Sequence, residues 1–229
     1  MKKQSVCIIV VVFISIFLMA FVFSPGKLVT SVESVAQAKG THQKLPVIKL
    51  GLLVWPGVGP FFIAKEKGFY QEQGIDVEIS MIENVDVRRS ALLSDKIDIV
   101  AVTLDMAIID NGKGVDETII GITDFSTGAD GILVKSDIKK LEDLKDKKIA
   151  LPEGQTSHFF LLYLLDRIGL GPDDFTIIPT GDAGQAGFLF SSGGIKAAVT
   201  WEPWLYKTVQ SGKGTVLIST KEEPELLVG

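Results

Sequence analysis

KKIALPEGQTSHFFLLYLLDRIGL, residues 147–170, is the stretch on which the reading of this chain turns. Four residues of strand character, Lys148 to Leu151, run into a break at Pro152-Glu153-Gly154. Thr156 and Ser157 then precede an apolar run with the length and composition of a helix. Hydroxyl residues at that place predict caps, with neighbouring backbone N–H groups left free where the helix dipole is positive. Gly169 stops the helix and Pro172 prevents it from resuming. Two readings stand side by side. Either the turn holds an anion with donors already aimed, or it is an ordinary strand-to-helix turn with routine capping.

Working outward, composition sets limits. The chain has 229 residues, 46% of them hydrophobic, and a net charge of −5. That suffices for one large domain or two smaller lobes, each with a core. Lys and Arg are scattered among Asp and Glu with no basic stripe, which argues against a nucleic-acid partner. Cys7 is the single cysteine and lies in the N-terminal apolar run, and the histidines are His42 and His158. A thiol nucleophile, a disulfide and a His- or Cys-based metal site are therefore not expected, and no cofactor is implied.

Lys2 and Lys3 precede an apolar run from Val6 to Phe23, interrupted by Ser15. A positive flank before an apolar core is the pattern of an export signal, and this one approaches bilayer-spanning length. Residues 1–38 read as a signal peptide, cleaved after Ala36-Gln37-Ala38, or as an apolar helix retained as a membrane anchor. Residues 39–46 read as a linker. Both outcomes place the folded part in a periplasmic or other extracytoplasmic compartment.

From Val47 onward, strand and helix patterns alternate. Strands are predicted at Val47–Trp55, Ile75–Met81, Lys96–Thr103, Glu117–Thr123 and Gly131–Lys135. Between them, helices are predicted at Phe61–Gln73, Asn84–Leu93 (Val85, Ala91 and Leu92 inward) and Leu104–Asp110. A second series follows a division near residue 135. It has helix Ile138–Leu144, the opening strand–turn–helix, strand Phe175–Pro179, helix Ala183–Phe190, strand Ile195–Thr200, helix Pro203–Gln210 and strand Thr215–Ser219. Connections too long for hairpins imply an α/β fold with parallel-rich sheets and helices on both faces.

Ligands of such sheets settle beyond the carboxyl ends of the strands. The first series supplies Trp55, Thr103, Asp105, Asp124, Ser126 and Thr127 there. The second supplies Gly154, Thr156, Ser157, His158, Asp182, Trp201 and Glu202. Aromatic faces, hydroxyls and free N–H groups suit a small polar ligand between two lobes. Trp55 either stacks on that ligand or packs beneath its loop. Trp201 is favoured over Trp204 for the cleft. Glu202 either meets a ligand amine or caps the following helix. His158, in the first helical turn, reads as a neutral donor or a packed ring, and Asp124 and Asp130 read as turn chemistry. No nucleophile–base–orienter set is visible, so a binding module is expected rather than an enzyme.

Four blocks carry a family resemblance: KLGLLVWPGVGPFFIAKEKGFYQEQGIDVEI, DFSTGADGILVK, LEDLKDKKIALPEGQTSHFFLLYLLDRIGL and AVTWEPW. In this order they resemble periplasmic solute-binding proteins of the nitrate, sulfonate and taurine (NMT1-like) transporter family. The resemblance implies a two-lobed periplasmic-binding-protein-like fold of type II. Residues 47–135 would form the first lobe, 136–219 the second and 220–229 the start of a return crossover. Family members run on past this point, so a C-terminally truncated chain with an incomplete first lobe is implied. The implied function is capture of a small anionic or zwitterionic solute for the permease and ATPase subunits of an ABC importer. A pyrimidine-precursor (thiamine-type) binder, a membrane-tethered ligand sensor and a non-functional truncated product are the alternatives. Carried over by block, the ligand-binding set is Trp55, Ser126, Thr127, Gly154, Thr156, Ser157, His158, Trp201 and Glu202.

Overall fold

The structure is a computed structural model that describes residues 44–229; the expected signal or anchor helix lies outside the described residues. Two sheets carry the fold. In the first, β1 (Val47–Leu52) lies between β2 (Asp76–Met81) and the two-residue β3 (Ile99–Val100), all parallel. The helix expected over Phe61–Gln73 is two pieces, α1 (Gly59–Glu66) and α2 (Phe69–Glu72). Gly68 separates them at φ +78°, a left-handed conformation that glycine adopts without steric cost. Next comes α3 (Val85–Leu93), whose N-cap Asn84 accepts hydrogen bonds from the Asp86 and Val87 amides. Its buried positions are Val85 and Arg88, whereas the expected Ala91 and Leu92 are half-buried. After β3, α4 runs from Leu104 to Gly112.

The strand expected at Glu117–Thr123 is not formed. Ile119, Ile120 and Ile122 are 60%, 74% and 64% exposed. Their β-branched pattern expresses a side-chain preference, but a strand also needs a ladder partner. Beyond this segment the chain crosses to the second sheet, and its last residues run antiparallel to the crossing. Phe125 pairs with Val228, the Ser126 amide donates to the Leu227 carbonyl at 2.9 Å, and the Thr123 amide donates to Gly229 at 2.8 Å.

The second sheet has the order β6-β5-β7-β4-β8. Its strands are β4 (Asp130–Val134), β5 (Lys148–Leu151), β6 (Thr176–Pro179), β7 (Ala197–Trp201) and β8 (Thr215–Ser219). Here the expectation of parallel pairing holds only in part. β5 is parallel to β6 and β7, but β4 is antiparallel to both β7 and β8. The strand that departs from parallel pairing, β4, is the one that enters from the crossover. The helices are α5 (Thr156–Asp166), α6 (Ala183–Ser191) and α7 (Trp204–Gln210). The helix expected over Ile138–Leu144 is a single tight turn at Leu141–Leu144.

Period-two alternation builds two cores from one sheet. Ile132, Val134, Ile149, Leu151, Ala197 and Val199 face Phe160, Leu161, Leu164 and Leu165 of α5. Leu133, Ala150 and Ala198 face the other way, against Ala186 and Phe190 of α6 and Leu205 of α7. Each side chain of Leu or Phe size buried there contributes about 1.5–3 kcal/mol. That rigid body fixes the position of the turn before α5.

Candidate functional site

The carboxyl ends of β1 and β7 and the start of α5 converge on one cavity of about 70 Å3. Trp55, just past β1, faces into it beside Trp201, the last residue of β7. Trp55 is fixed by its indole Nε1, which donates to Asp124 Oδ2 at 2.9 Å. Trp201 Nε1 donates across the lobes to the Val54 carbonyl at 3.2 Å. Both indole N–H groups are thus spent on the protein, which leaves the rings themselves as apolar walls. Gly57 makes the first of these contacts possible: a Cβ there would fall 1.4 Å from Asp124 Oδ2. The Pro-Gly run after β1 does more than break a strand.

Gln155, Thr156 and the α5 start form the opposite wall. Gln155, not Thr156 or Ser157, is the N-cap, and its side chain makes no cap hydrogen bond. Thr156 and Ser157 already lie inside the helix, with their amides unbonded to any backbone carbonyl. They are among the orphan donors of a helix start, where the dipole favours negative charge. Thr156 Oγ1 is 2.7 Å from Thr103 Oγ1 and donates to Asp105 Oδ1 at 3.4 Å, so α5 abuts the start of α4. Ser157 is 1% exposed, its hydroxyl has no partner, and it does not line the cavity.

The electrostatics come from residues that the sequence pattern left in the background. Arg88 lines the cavity, is 4% exposed, and has a buried Nε with no hydrogen-bond partner. Its Nη1 donates to the Ile82 carbonyl at 2.6 Å, which holds the guanidinium in place. Burial lowers its pKa from the usual arginine value, opposed by the fields of Glu83 and Asp110. Opposite in sign stand Asp124 and Asp130. Asp130 is 5% exposed and accepts from Ser126 Oγ at 2.5 Å; Ser126 Oγ in turn lies 2.8 Å from Thr220 Oγ1. Burial pushes the Asp130 carboxyl up to about 7, with the Ser126 hydrogen bond opposing and the charges of Asp105 and Asp124 adding to the shift. Its sequence reading as turn chemistry is corrected: Thr220 Oγ1 accepts from the Gly128 amide at 2.8 Å, and the whole cluster ties the crossover to β4 and to the end of β8.

Of the nine residues expected to bind, Trp55, Ser126, Thr156 and Trp201 meet around the cavity. Thr127 and Gly154 are exposed and stand outside it. His158 accepts from the Gly154 amide at Nδ1, 3.1 Å away, and lies outside the cavity too. Burial lowers its pKa, opposed by Glu153, so the ring is neutral at pH 7, as the first-turn position suggested. Glu202 takes the capping role, accepting from the Tyr206 amide at 3.0 Å. Arg88 went unnoticed, yet it left a signal. It occupies the position three after Val85 on the inward face of α3, where periodicity asks for an apolar side chain.

The NMT1-like family model matches residues 41–227. The chain belongs to the NMT1-like family. A Bacillus subtilis relative, named for aliphatic sulfonate binding, is 30% identical over 188 residues, covering 80% of this chain and 56% of its own. The chain thus spans little more than half the length of that relative. Among solved structures, the periplasmic aliphatic sulphonate binding protein SsuA of Escherichia coli superposes with a TM-score of 0.69 at 22% identity. That match covers 80% of this chain and 63% of SsuA. The periplasmic nitrate-binding protein NrtA of Synechocystis gives 0.62 at 25% identity, over 80% of this chain and 55% of its own. The expected family and two-lobed, parallel-rich α/β fold are those of the NMT1-like chain described here, and these relatives bear the names of binding proteins rather than enzymes.

Proposed function

We propose that this NMT1-like protein is the extracytoplasmic solute-binding component of an ABC importer. It captures a small anionic or zwitterionic solute, of nitrate, sulfonate or taurine type, between its two lobes and delivers it to permease and ATPase subunits. The observation that carries this reading is the cavity at the lobe boundary. There the free N–H end of α5, two tryptophan rings and the partnerless Nε of Arg88 surround one space. Aimed donors and a buried guanidinium replace the water lost by an oxyanion, and the apolar rings exclude competing solvent. The names of the sulfonate- and nitrate-binding relatives support the solute class, and their periplasmic setting supports an extracytoplasmic location.

The ligand set rests on Trp55, Ser126, Thr156 and Trp201, joined by Arg88 and Gln155. Calorimetric titration of the full chain, in a non-ionic detergent, with nitrate, ethanesulfonate, taurine and a thiamine-type pyrimidine tests the function. Saturable binding of at least one anionic or zwitterionic solute, lost on Arg88→Gln, is expected. Binding of the pyrimidine alone, or no change on Arg88→Gln, would move the function away from oxyanion capture.

A further inference from the structure

Three charged side chains line the cavity, and their sum is unfavourable for an anion. Arg88 supplies one positive charge, while Asp124 and Asp130 supply two carboxylates. Asp124 has a fixed partner in Trp55 Nε1. Asp130 has only hydroxyls and amides near it: Ser126 Oγ on its carboxylate, with Thr220 Oγ1 behind. No cation faces it. From α4 it meets the field of Asp105 and from the crossover that of Asp124; the adjoining ends of β7 and β8 contribute Trp201 and Thr220, which carry no charge. The α5 wall adds Gln155 and Thr156, also uncharged, and among the described residues Arg88 of α3 is the only positive side chain on the lining.

An anion entering a space of about 70 Å3 sits close to every one of these groups. Two unit charges 4 Å apart interact by about 4 kcal/mol at an effective dielectric near 20. An ionised Asp130 therefore opposes the anion about as strongly as Arg88 attracts it, whereas a neutral Asp130 leaves Arg88 and the α5 amides opposed by Asp124 alone. We propose that Asp130 is the specificity-determining proton switch of this cavity, taking up a proton from solvent when an anionic solute binds and returning it when the solute leaves. Its carboxyl is met by Ser126 Oγ, itself braced by Thr220 Oγ1, and a hydroxyl can donate to the carboxylate or accept from the acid, so the switch changes charge without moving the wall. This rests on the oxyanion-capture reading above.

The sign follows from linkage. Free Asp130 titrates at about 7, and the bound anion raises that value further. Binding then draws about half a proton per anion at pH 7, and affinity falls about tenfold between pH 6 and pH 8. The same free group that repels an anion at pH 8 favours a solute bearing an ammonium group, so the ethanesulfonate-to-taurine preference shifts toward taurine as pH rises.

Calorimetry of the full chain with ethanesulfonate at pH 7, in phosphate and in Tris, reads proton uptake from the difference in apparent heat. Titrations at pH 6 and pH 8 read the affinity slope. Uptake near half a proton and about a tenfold slope are expected, both abolished in Asp130→Asn. Ethanesulfonate that binds with no buffer dependence and a flat profile overturns the switch while leaving the capture reading intact. Uptake that persists in Asp130→Asn does the same, by assigning the proton elsewhere. If no anion binds at all, capture and switch both fall. Should Asp130→Asn not fold, Ser126→Ala serves in its place: loss of the hydrogen bond that holds the carboxyl down moves the affinity midpoint to higher pH. A 13C-NMR titration of the Asp130 carboxyl in the solute-free protein, expected near pH 7, is independent of any ligand. A midpoint below pH 5 would end the proposal.

Discussion

The five-stranded sheet is covered on both faces, by α5 on one side and by α6 and α7 on the other, and most of its strand residues are inaccessible to solvent. In the three-stranded sheet a smaller cluster does the same work: Leu50, Leu52, Val58 and Val77, with half-buried Phe61, Tyr70, Ile79 and Ile99 around it. α1 buries none of its residues fully, and Phe62, Ile63 and Phe69 lie exposed along that side. The contrast bears on how the cavity is made. One wall, the start of α5, is anchored in a filled core, while the other, Trp55 with α3 and α4, hangs on a thin one. Rigidity on one side and compliance on the other is what a cleft needs if it is to close around a solute.

The largest expected effect would break this contrast if it failed. Phe160, wholly buried beneath β5 and β7, should cost about 3–5 kcal/mol when cut to alanine. Phe61, on the first lobe, is only half-buried, and Phe61→Ala should cost less than half as much because its site can collapse toward solvent. Urea unfolding of the two variants gives the ratio, and native-state hydrogen exchange gives its counterpart by residue. Amides of β1 and β3 should open well below the global free energy, and those of β5 and β7 close to it. Equal costs for the two substitutions would mean that the lobes unfold as one unit of uniform stability.

The next effect sharpens the comparison at the join. Asp130 is a carboxylic acid near 3.8 when unfolded and near 7 when folded. Between those values the folded state holds the extra proton, so stability falls as pH rises, the reverse of a salt-bridged carboxylate. The loss from this group between pH 5 and pH 8 is about 2–3 kcal/mol. Urea midpoints across that range should decline in the wild type and stay flatter in Asp130→Asn. A wild-type curve that rises toward pH 8 would show that the buried carboxyl has found a positive partner.

Much of this architecture was legible in the chain, for reasons that differ by element. β5 and β8 matched their predicted bounds, because short branched runs closed by turn residues admit few other structures. The stretch 117–123 looked equally strand-like and is not one, since alternation reports side-chain preference and says nothing of a free ladder edge. Trp55, Ser126, Thr156 and Trp201 were found by a topological rule that needs only strand ends. Thr127, Gly154 and His158 were swept in by adjacency, and local direction along a turn is beyond such a rule. Arg88 escaped because it holds an inward helix position where periodicity asks for an apolar side chain, and Asp130 and Gly57 because their roles involve Thr220 and Asp124, far along the chain. Gly57 is glycine on account of Asp124, 67 residues later by the numbering.

The smallest effect concerns the seam itself. Thr103 stands at the N-cap position of α4 on the compliant side, its side chain making no cap hydrogen bond, and Thr156 opens α5 on the rigid one; their hydroxyls lie 2.7 Å apart. Val keeps the shape of Thr and removes the hydroxyl, so Thr103→Val, Thr156→Val and the double substitution form a cycle that isolates the pair. A neutral hydroxyl pair of this kind contributes about 0.5–1.5 kcal/mol, and coupling of that size is expected in unfolding measured without solute. Thr156→Val leaves the half-buried Thr103 hydroxyl short of a partner, so that single should cost more than half of the double. Asp105, within 3.4 Å of Thr156 Oγ1, can rescue Thr103→Val but not Thr156→Val, which makes the two singles unequal in a known direction. Coupling near zero, with equal singles, would mean that the lobes do not hold each other through this contact. The join would then depend on Thr156 with Asp105 and on Trp201 with the Val54 carbonyl, which also span the seam.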